Sequence, residues 1–564
     1  MDYSSLTIVS EAQPDRSKLD HYDVAIVGAG ISSAYTLIHY ISQLEQPGLI
    51  NSSSSTPHQP VKIIVTEKSG EFWTGLPYGS RSGRNALLIS PLHEFIPQPG
   101  ERHDFIEWLT ANRDRVFDPQ EYNRGELSRQ WLATNQAAMD RGLWDDLFIP
   151  RHTFGLYLIE RLDRVITAAT AAGLIELTQL TAEVLDVQHV GDLYQIDLAE
   201  AEHSSFLATK LVLAIGSPPN VAFEHAQAPT GTEGICYIDN MYEPSLPANI
   251  DRICQALQQT DPQLQRQVLM VGSNAGTLDT LYNINNSPAA AHLIENFVIV
   301  SPNAAFPHRI SHGIIALNHQ PQHLLDLVKS APFTAKQILA AVQQDVAEAT
   351  AQNINISDIH GDISKVVMQA LNLLNPAEQK QFVIRYSVDI GKLQRRAGAE
   401  YLDVVNNLIA QRKLEFCQGR FVKYTTLPTG GACCEYLDRE NQPQQIADPI
   451  QVIINCAGFQ DVTRSSSVLI QNLIRREICI PNDSNRGFVT DKNFQANHNC
   501  YLMGPLIAGN IDGNFKVWHA ESCQRIISLS AQLAATLHQA EPLNLTPIPV
   551  GPEVDRAELL VTAL

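Results

Sequence analysis

Gly28, Gly30 and Glu67 are the residues whose types and spacing promise chemistry. The glycines stand in Tyr22-Asp-Val-Ala-Ile-Val-Gly-Ala-Gly-Ile-Ser-Ser33, where an apolar run from Val24 to Val27 ends in Gly28-Ala29-Gly30. A strand entering such a turn and leaving as a helix suits the pyrophosphate of a dinucleotide. Gly28 permits the tight turn, and Gly30 lets the backbone approach a phosphate. The helix N-terminus beyond it offers unpaired N–H groups and a partial positive charge. Ser33 occupies the place of the fingerprint's third glycine. Glu67 closes the next apolar run, Val61 to Thr66, where an acid hydrogen-bonds the adenosine ribose. It lies further from the glycines than the usual ~20 residues, and a serine-rich stretch after Asn51 accounts for the excess. An ordinary strand-turn-helix with a surface acid is the competing reading, and the ordered run of features argues against it.

The elements that must hold these residues are legible as periodicities. Ile31, Ala34, Tyr35, Leu37, Ile38, Ile41 and Leu44 recur at helical spacing, and Pro47-Gly48 ends the run. Lys210-Leu-Val-Leu-Ala-Ile-Gly-Ser-Pro-Pro219 is an apolar strand ending at Gly216. Gln267-Val-Leu-Met-Val-Gly-Ser-Asn-Ala-Gly-Thr277 repeats the opening theme, with Gly272, Ser273, Asn274 and Gly276 at the turn and a helix through Leu278, Leu281 and Ile284. A second nucleotide unit follows from that repeat, although Gly-x-x-x-Gly also marks purely structural turns. Residues 320–411 turn helical. Strands return at Phe416 to Tyr424 and Gln451 to Gly458, and a long helix is expected from about Phe515 to His538, with Asp512 and Asn514 as N-cap candidates.

The pattern predicts an α/β protein with two dinucleotide-binding, Rossmann-like domains, one inserted in the other, and a helical insertion. The expected division is a disordered lead-in over 1–20, a discontinuous FAD-type unit over 21–225 and 412–540, and a second unit over 226–319. A helical insertion or lid spans 320–411, and a loose tail spans 541–564. At 564 residues the chain is long enough for several cores. Its 44% hydrophobic and 18% charged content is that of a soluble globular protein. A net charge of −20 disfavours nucleic acid or an anionic membrane as partner, and no apolar run approaches the ~20 residues of a membrane span. Nine cysteines, with Cys433-Cys434 as the only close pair, form neither a disulfide framework nor a metal-ligand spacing. They point to the cytoplasm. No zinc, P-loop or Ser-His-Asp pattern is present, so no metal, kinase or hydrolase chemistry is expected.

Further blocks extend the likeness beyond the glycines. They are Gly75-Leu-Pro-Tyr-Gly79, Asn85-Ala-Leu-Leu-Ile-Ser-Pro91 through Asp104-Phe-Ile-Glu-Trp-Leu109, and Phe148-Ile-Pro-Arg-His-Thr-Phe-Gly-Leu-Tyr-Leu158. Leu374 to Phe382 with Asp389 to Arg396, Asn455-Cys-Ala-Gly458 and Gly504-Pro505 follow in the same order. Together, over about residues 21–540, the chain resembles the FAD-NAD(P)-binding flavoproteins that include flavin-dependent urate hydroxylase-type monooxygenases. It departs from them at Ile89, which replaces an asparagine, at Lys392-Leu-Gln-Arg-Arg396, and at Ser301-Pro-Asn303, where arginines are frequent.

The resemblance implies FAD held by Gly28, Gly30, Ser33 and Glu67, with backbone contact to adenine at Val184 and further contacts at Gly216, Gly504, Pro505 and Asn514. It implies NADPH or NADH at Gly272, Ser273, Asn274 and Gly276. A helix starting near Asn514 would aim its positive end at the reduced, anionic flavin. Without the arginines after Val300, coenzyme preference is expected to be weak or shifted toward NADH, unless His308-Arg309 reaches back. His308, Arg309, His312, Arg395 and Arg396 are the candidates for an anionic substrate or the nicotinamide phosphates. Each is equally at home as a solvated loop residue or ion-pair member, and no catalytic side chain stands out. The implied activity is hydroxylation of a small nitrogen-containing substrate by molecular oxygen through a flavin hydroperoxide. A flavoprotein reductase or oxidase, and a flavin-bound sensor or scaffold, are the competing classes.

Overall fold

Apolar runs rich in Val, Ile and Leu, cut by glycine turns, dictate strands buried on both faces, which is what a parallel sheet between helices requires. The computed structural model describes residues 18–45, 59–118, 125–199, 204–226, 235–310, 319–428, 430–512, 515–518 and 523–539. Strand β1 (His21–Val27) passes through Gly28 into helix α1 (Ile31–Leu44). Strand β2 (Val61–Thr66), helix α2 (Arg151–Ala171), strand β3 (Ile175–Leu180) and strand β4 (Ser205–Leu213) follow. The second unit contributes β5 (Cys236–Ile238), β6 (Gln267–Val271), α3 (Ala275–Asn285), β7 (Asn296–Ser301) and the short β8 (His308–Arg309). After a run of helices come β9 (Arg396–Ala397), α4 (Ala399–Ala410), β10 (Leu414–Gln418) and β11 (Val452–Asn455). The chain then returns with β12 (Cys500–Leu502) and α5 (Cys523–Gln539).

The first sheet runs β12-β4-β1-β2-β3, all parallel, with Gln495–Asn497 antiparallel on the β12 edge and the hairpin Val184–Val190/Leu193–Leu198 beside β4. Val24 pairs with Ile63 on one side and Lys210 on the other. Lys210, a buried cation in this strand, donates from Nζ to the Leu537 carbonyl at 2.7 Å and so satisfies the C-terminal end of α5. The second sheet runs β10-β7-β6-β11-β5, again all parallel. Both glycine turns therefore sit at the carboxyl ends of parallel strands, where ligands of α/β sheets bind.

Sheet pairing redraws one expected boundary. Residues 412–455 were grouped with the first unit, yet β10 pairs with β7 and β11 pairs with β6 and β5. The four buried residues of β11 need apolar neighbours on both faces, and the gap between β6 and β5 supplies them. The long C-terminal helix also differs. Phe515–Val517 forms a strand against Asn510–Asp512, and α5 begins at Cys523. The β-branched and aromatic residues at 515–517 favour that hairpin over a helical first turn.

The helices Gln322–Lys329, Ala335–Ala351, Ile356–Leu373 and Ser387–Leu393 close over their own core of Leu324, Ile338, Val342, Ile363, Val367 and Ile390. Thr334 and Gln337 form a reciprocal capping box at the second of these helices. Arg486, from the returning segment, clips this layer in place. Its Nη2 donates to the Val383 carbonyl at 2.9 Å, the Ser387 hydroxyl at 3.1 Å and the Trp518 carbonyl at 2.8 Å. The clip falls on a π-helical turn, Phe382–Tyr386, and the Phe382 ring meets Trp518 edge-on at 5.5 Å. None of the helices is long and apolar enough to cross a membrane among the described residues.

Candidate functional site

The first glycine turn is shaped by two different constraints. Gly28 has φ +90°, and a Cβ there would lie 2.6 Å from the Ala214 carbonyl oxygen, so the strand crossing admits nothing larger. Gly30 is extended, and a Cβ there would meet only the Gly75 backbone, at 3.6 Å and beyond. Gly75, at φ +59°, approaches from the other side, its own Cβ position 3.2 Å from the Gly30 Cα. Two backbones thus pass with no side chain between them, beside a helix N-terminus that has neither a side-chain cap nor a first-turn acid. Uncapped N–H donors next to a cradle that a side chain would fill fit a pyrophosphate.

Ser33 explains the missing third glycine. It is fully buried, and its hydroxyl turns back to donate to the Gly28 carbonyl at 2.5 Å. Glu67 is brought to the turn as its position in the sequence predicts. Its Oε2 accepts from the Ala29 N–H at 3.0 Å, and its Oε1 accepts from the Ser69 N–H and hydroxyl at 3.0 and 2.7 Å. Gly504, at φ +84°, closes the same corner, with its Cβ position 3.0 Å from the Ser32 hydroxyl, and Pro505 starts a short 3-10 turn behind it. Gly216 also takes a positive φ, +78°, and a Cβ there would meet nothing within 4 Å. Val184 is buried at the start of its strand, four residues beyond Leu180, whose carbonyl accepts from the Glu67 N–H. Asn514 lies outside the described residues, and α5 starts too late for Asn514 to cap it.

The second turn is built otherwise. Gly272 has φ +112°, and a Cβ there would sit 2.2 Å from the Cys456 carbonyl oxygen. Asn274 caps α3 with its own side chain, its Oδ1 accepting from Gly276 and Thr277 N–H while its Nδ2 donates to the Cys456 carbonyl at 2.8 Å. Ser273 reaches the Ser301 hydroxyl at 2.7 Å and donates to the Ala305 carbonyl at 2.8 Å. The two crossing segments between the sheets are tied by the Asn220–Phe459 bridge, with Val221 N–H on the Gly458 carbonyl at 3.0 Å and Gln460 N–H on the Pro219 carbonyl at 2.8 Å.

The substrate candidates separate sharply. Arg309 is tied bidentately to Asp403 on α4, and Arg396 bidentately to Glu94, at 3.1 and 2.8 Å. That pairing holds the Glu94 carboxyl below its ordinary pKa despite burial. The His308 ring nitrogen lies 3.2 Å from the Leu393 carbonyl, and burial lowers its pKa. The Arg395 side chain makes no hydrogen bond or ion pair with any described residue. His312 falls outside the described residues.

One buried network was not anticipated. Arg151, at the start of α2, pairs with Asp279 of α3 at 3.0 Å and lies over the Tyr242 ring at 5.2 Å. The Tyr401 hydroxyl sits 2.6 Å from the Leu87 carbonyl and 3.0 Å from Asp279, which also accepts from the Asn283 amide. The Asp279 carboxylate holds the Arg151 guanidinium above its ordinary pKa. The network joins the two units. Its one sequence signal was an acid on the apolar face of α3 beside Leu278 and Tyr282. A second acidic group, His323 with Asp345 and Glu348, clusters as metal ligands can. Its Asp345 carboxylate is already spent on the His323 and Leu324 N–H groups at a helix start.

Three comparisons place this geometry. A family model described as FAD-NAD(P)-binding matches residues 25–218, the first glycine unit through β4 and Gly216. Uncharacterized proteins of Mycobacterium bovis and Mycobacterium tuberculosis are 28% identical over 534 residues, covering 93% of this chain and 97% of theirs. The reduced form of ornithine hydroxylase from Pseudomonas aeruginosa superposes with a TM-score of 0.52 at 11% identity, over 92% of this chain and 99% of that one. Residues 25–218 thus match an FAD-NAD(P)-binding domain, and the whole chain has a mixed α/β fold with parallel sheets like that of the hydroxylase.

Proposed function

We propose that the chain is an FAD-dependent, NAD(P)H-consuming monooxygenase acting on a small nitrogen-bearing substrate. The observation that carries this reading is the pairing of two glycine turns, each at the carboxyl end of a parallel sheet, across the Asn220–Phe459 bridge. One dinucleotide unit would serve for binding alone, whereas two tied together suit transfer between bound nucleotides. In this reading β1 to β4 and the segment after β11 form the flavin unit, and β5 to β7 with β10 and β11 form the nicotinamide unit. Bound flavin would supply the redox chemistry between the nicotinamide and oxygen.

The chain's own residues do the rest. The Gly30–Gly75 cradle and the uncapped α1 hold the pyrophosphate, and Glu67 exchanges its local partners for the ribose hydroxyls. Asn274 leaves the α3 N-terminus with fewer spare donors, so the nicotinamide nucleotide is held less tightly than the flavin. In this reading the helical layer fixed by Arg486 covers the cleft and keeps water out, which suits insertion of oxygen over its loss as peroxide. The related fold belongs to an enzyme titled ornithine hydroxylase, and by that analogy amine nitrogen is the first target to try.

The test is a substrate survey. Purified protein is incubated with NADPH or NADH, oxygen and a panel of amino acids, amines and purines. Oxygen uptake and substrate mass are followed together. One substrate should gain a single oxygen atom in step with coenzyme loss. Oxygen returned quantitatively as hydrogen peroxide with every compound would replace this reading by that of an oxidase or reductase.

A further inference from the structure

We infer that Arg395 is the cation that selects the 2′-phosphate of NADPH, supplied by the segment entering β9 and not by the end of the β7 strand. The inference rests on the nicotinamide reading above and names the residue that sets its coenzyme preference.

A dinucleotide fold reads the adenosine ribose just beyond its second strand, which here is β7. Ser301-Pro-Asn303 offers no cation there, and Ser273 already holds the Ser301 hydroxyl. Beyond Asn303 the chain turns through Ala304 into β8, which pairs with β9 in parallel, His308 opposite Arg396 and Arg309 opposite Ala397. The His308 N–H donates to the Arg395 carbonyl at 2.8 Å, so Arg395 stands within one residue pair of the segment leaving β7.

Alternation along the ladder then sorts the four basic side chains. His308 and Arg396 share one face, and Arg396 is spent on Glu94 of the first unit. Arg309 and Arg395 share the other. That face looks to the second unit, because Arg309 reaches Asp403 on α4, the helix leading into β10 beside β7. Arg309 is neutralised there. The Arg395 side chain is exposed and has no hydrogen-bond or ion-pair partner among the described residues, and the protein around it lowers its pKa. A guanidinium on that face without a counter-charge suits an anion.

The test uses the full, flavin-loaded chain and two probes, 2′,5′-ADP and 5′-ADP, titrated by calorimetry, so that neither turnover nor oxygen chemistry enters. The unmodified protein should bind 2′,5′-ADP about tenfold more tightly, the weight of one charge-assisted contact of about 1.4 kcal/mol. Arg395→Ala should bring the two within about twofold, Arg395→Lys should keep part of the difference, and Arg309→Ala should leave it standing. Equal binding by the unmodified protein, or a preference that survives Arg395→Ala at unchanged flavin content, would overturn the assignment. So would Arg395→Ala losing affinity for a carboxylate-bearing substrate while still discriminating the two probes. Failure of the monooxygenase reading would show instead in the oxygen balance, with the probe preference intact.

Discussion

Gly30→Val should yield a folded protein that purifies without flavin colour. The substitution is informative because the fold itself tolerates it. Gly30 has an extended backbone at φ −84°, which valine adopts freely, and a Cβ there meets only Gly75 backbone at an ordinary distance. The γ-methyl groups would then stand over the uncapped N-terminus of α1, where a pyrophosphate must sit within hydrogen-bond reach of the N–H groups. Two methyls at that distance exclude a phosphate oxygen outright, so flavin content should fall from near stoichiometric to below about one tenth. Gly28→Ala is the necessary contrast. Its Cβ would press to 2.6 Å on the Ala214 carbonyl at a backbone angle of φ +90°, so that variant should lose the fold with the flavin. Absorbance near 450 nm after gel filtration, with circular dichroism as the measure of folding, separates the two. A yellow Gly30→Val protein would remove the flavin from this turn.

The glycine turns were legible because steric need writes itself into residue type. Gly28 and Gly272 both sit against a carbonyl oxygen of a neighbouring crossing segment, and no other residue could occupy either place. The parallel strands were legible for a similar reason, since burial on both faces demands uninterrupted apolar runs such as those of β1, β6 and β11. Which sheet a run joins is another matter. β11 reads like any buried strand, and only the spatial vacancy beside β6 assigned it, so the expected boundary at residue 412 placed it in the wrong sheet. Phe515–Val517 misled because a helix was extended backward from an apolar periodicity that begins at Cys523.

Charged residues were the least legible. Arg309, Arg395 and Arg396 look alike in sequence, and what separates them is a side-chain partner more than 90 residues away or, among the described residues, the lack of one. Asp403 and Glu94 neutralise two of the three. Ser33 shows the reverse case, a departure from the fingerprint that the structure resolves locally, because its hydroxyl takes the Gly28 carbonyl within the same turn.

Asp279→Ala should be the most destabilising single side-chain removal at the contact between the two units. The carboxylate is almost fully buried and is the one counter-charge paired with Arg151 among the described residues, and the guanidinium lies mostly out of water over the Tyr242 ring. Deleting one partner of a buried pair strands the other, at a cost of about 3–5 kcal/mol. Tyr401→Phe removes only a shared hydroxyl bond and should cost about 1 kcal/mol. The double change Asp279→Leu/Arg151→Met removes both charges, fills similar volume and should recover most of the loss, since a buried ion pair replaced by apolar contacts is often near neutral. Urea or thermal unfolding of the unmodified protein and the three variants gives the comparison, with limited proteolysis reporting whether the units separate before the sheets melt. A loss in Asp279→Ala no larger than in Tyr401→Phe would show that water reaches Arg151, and that the units are held together elsewhere, with the Arg396–Glu94 pair the next place to cut.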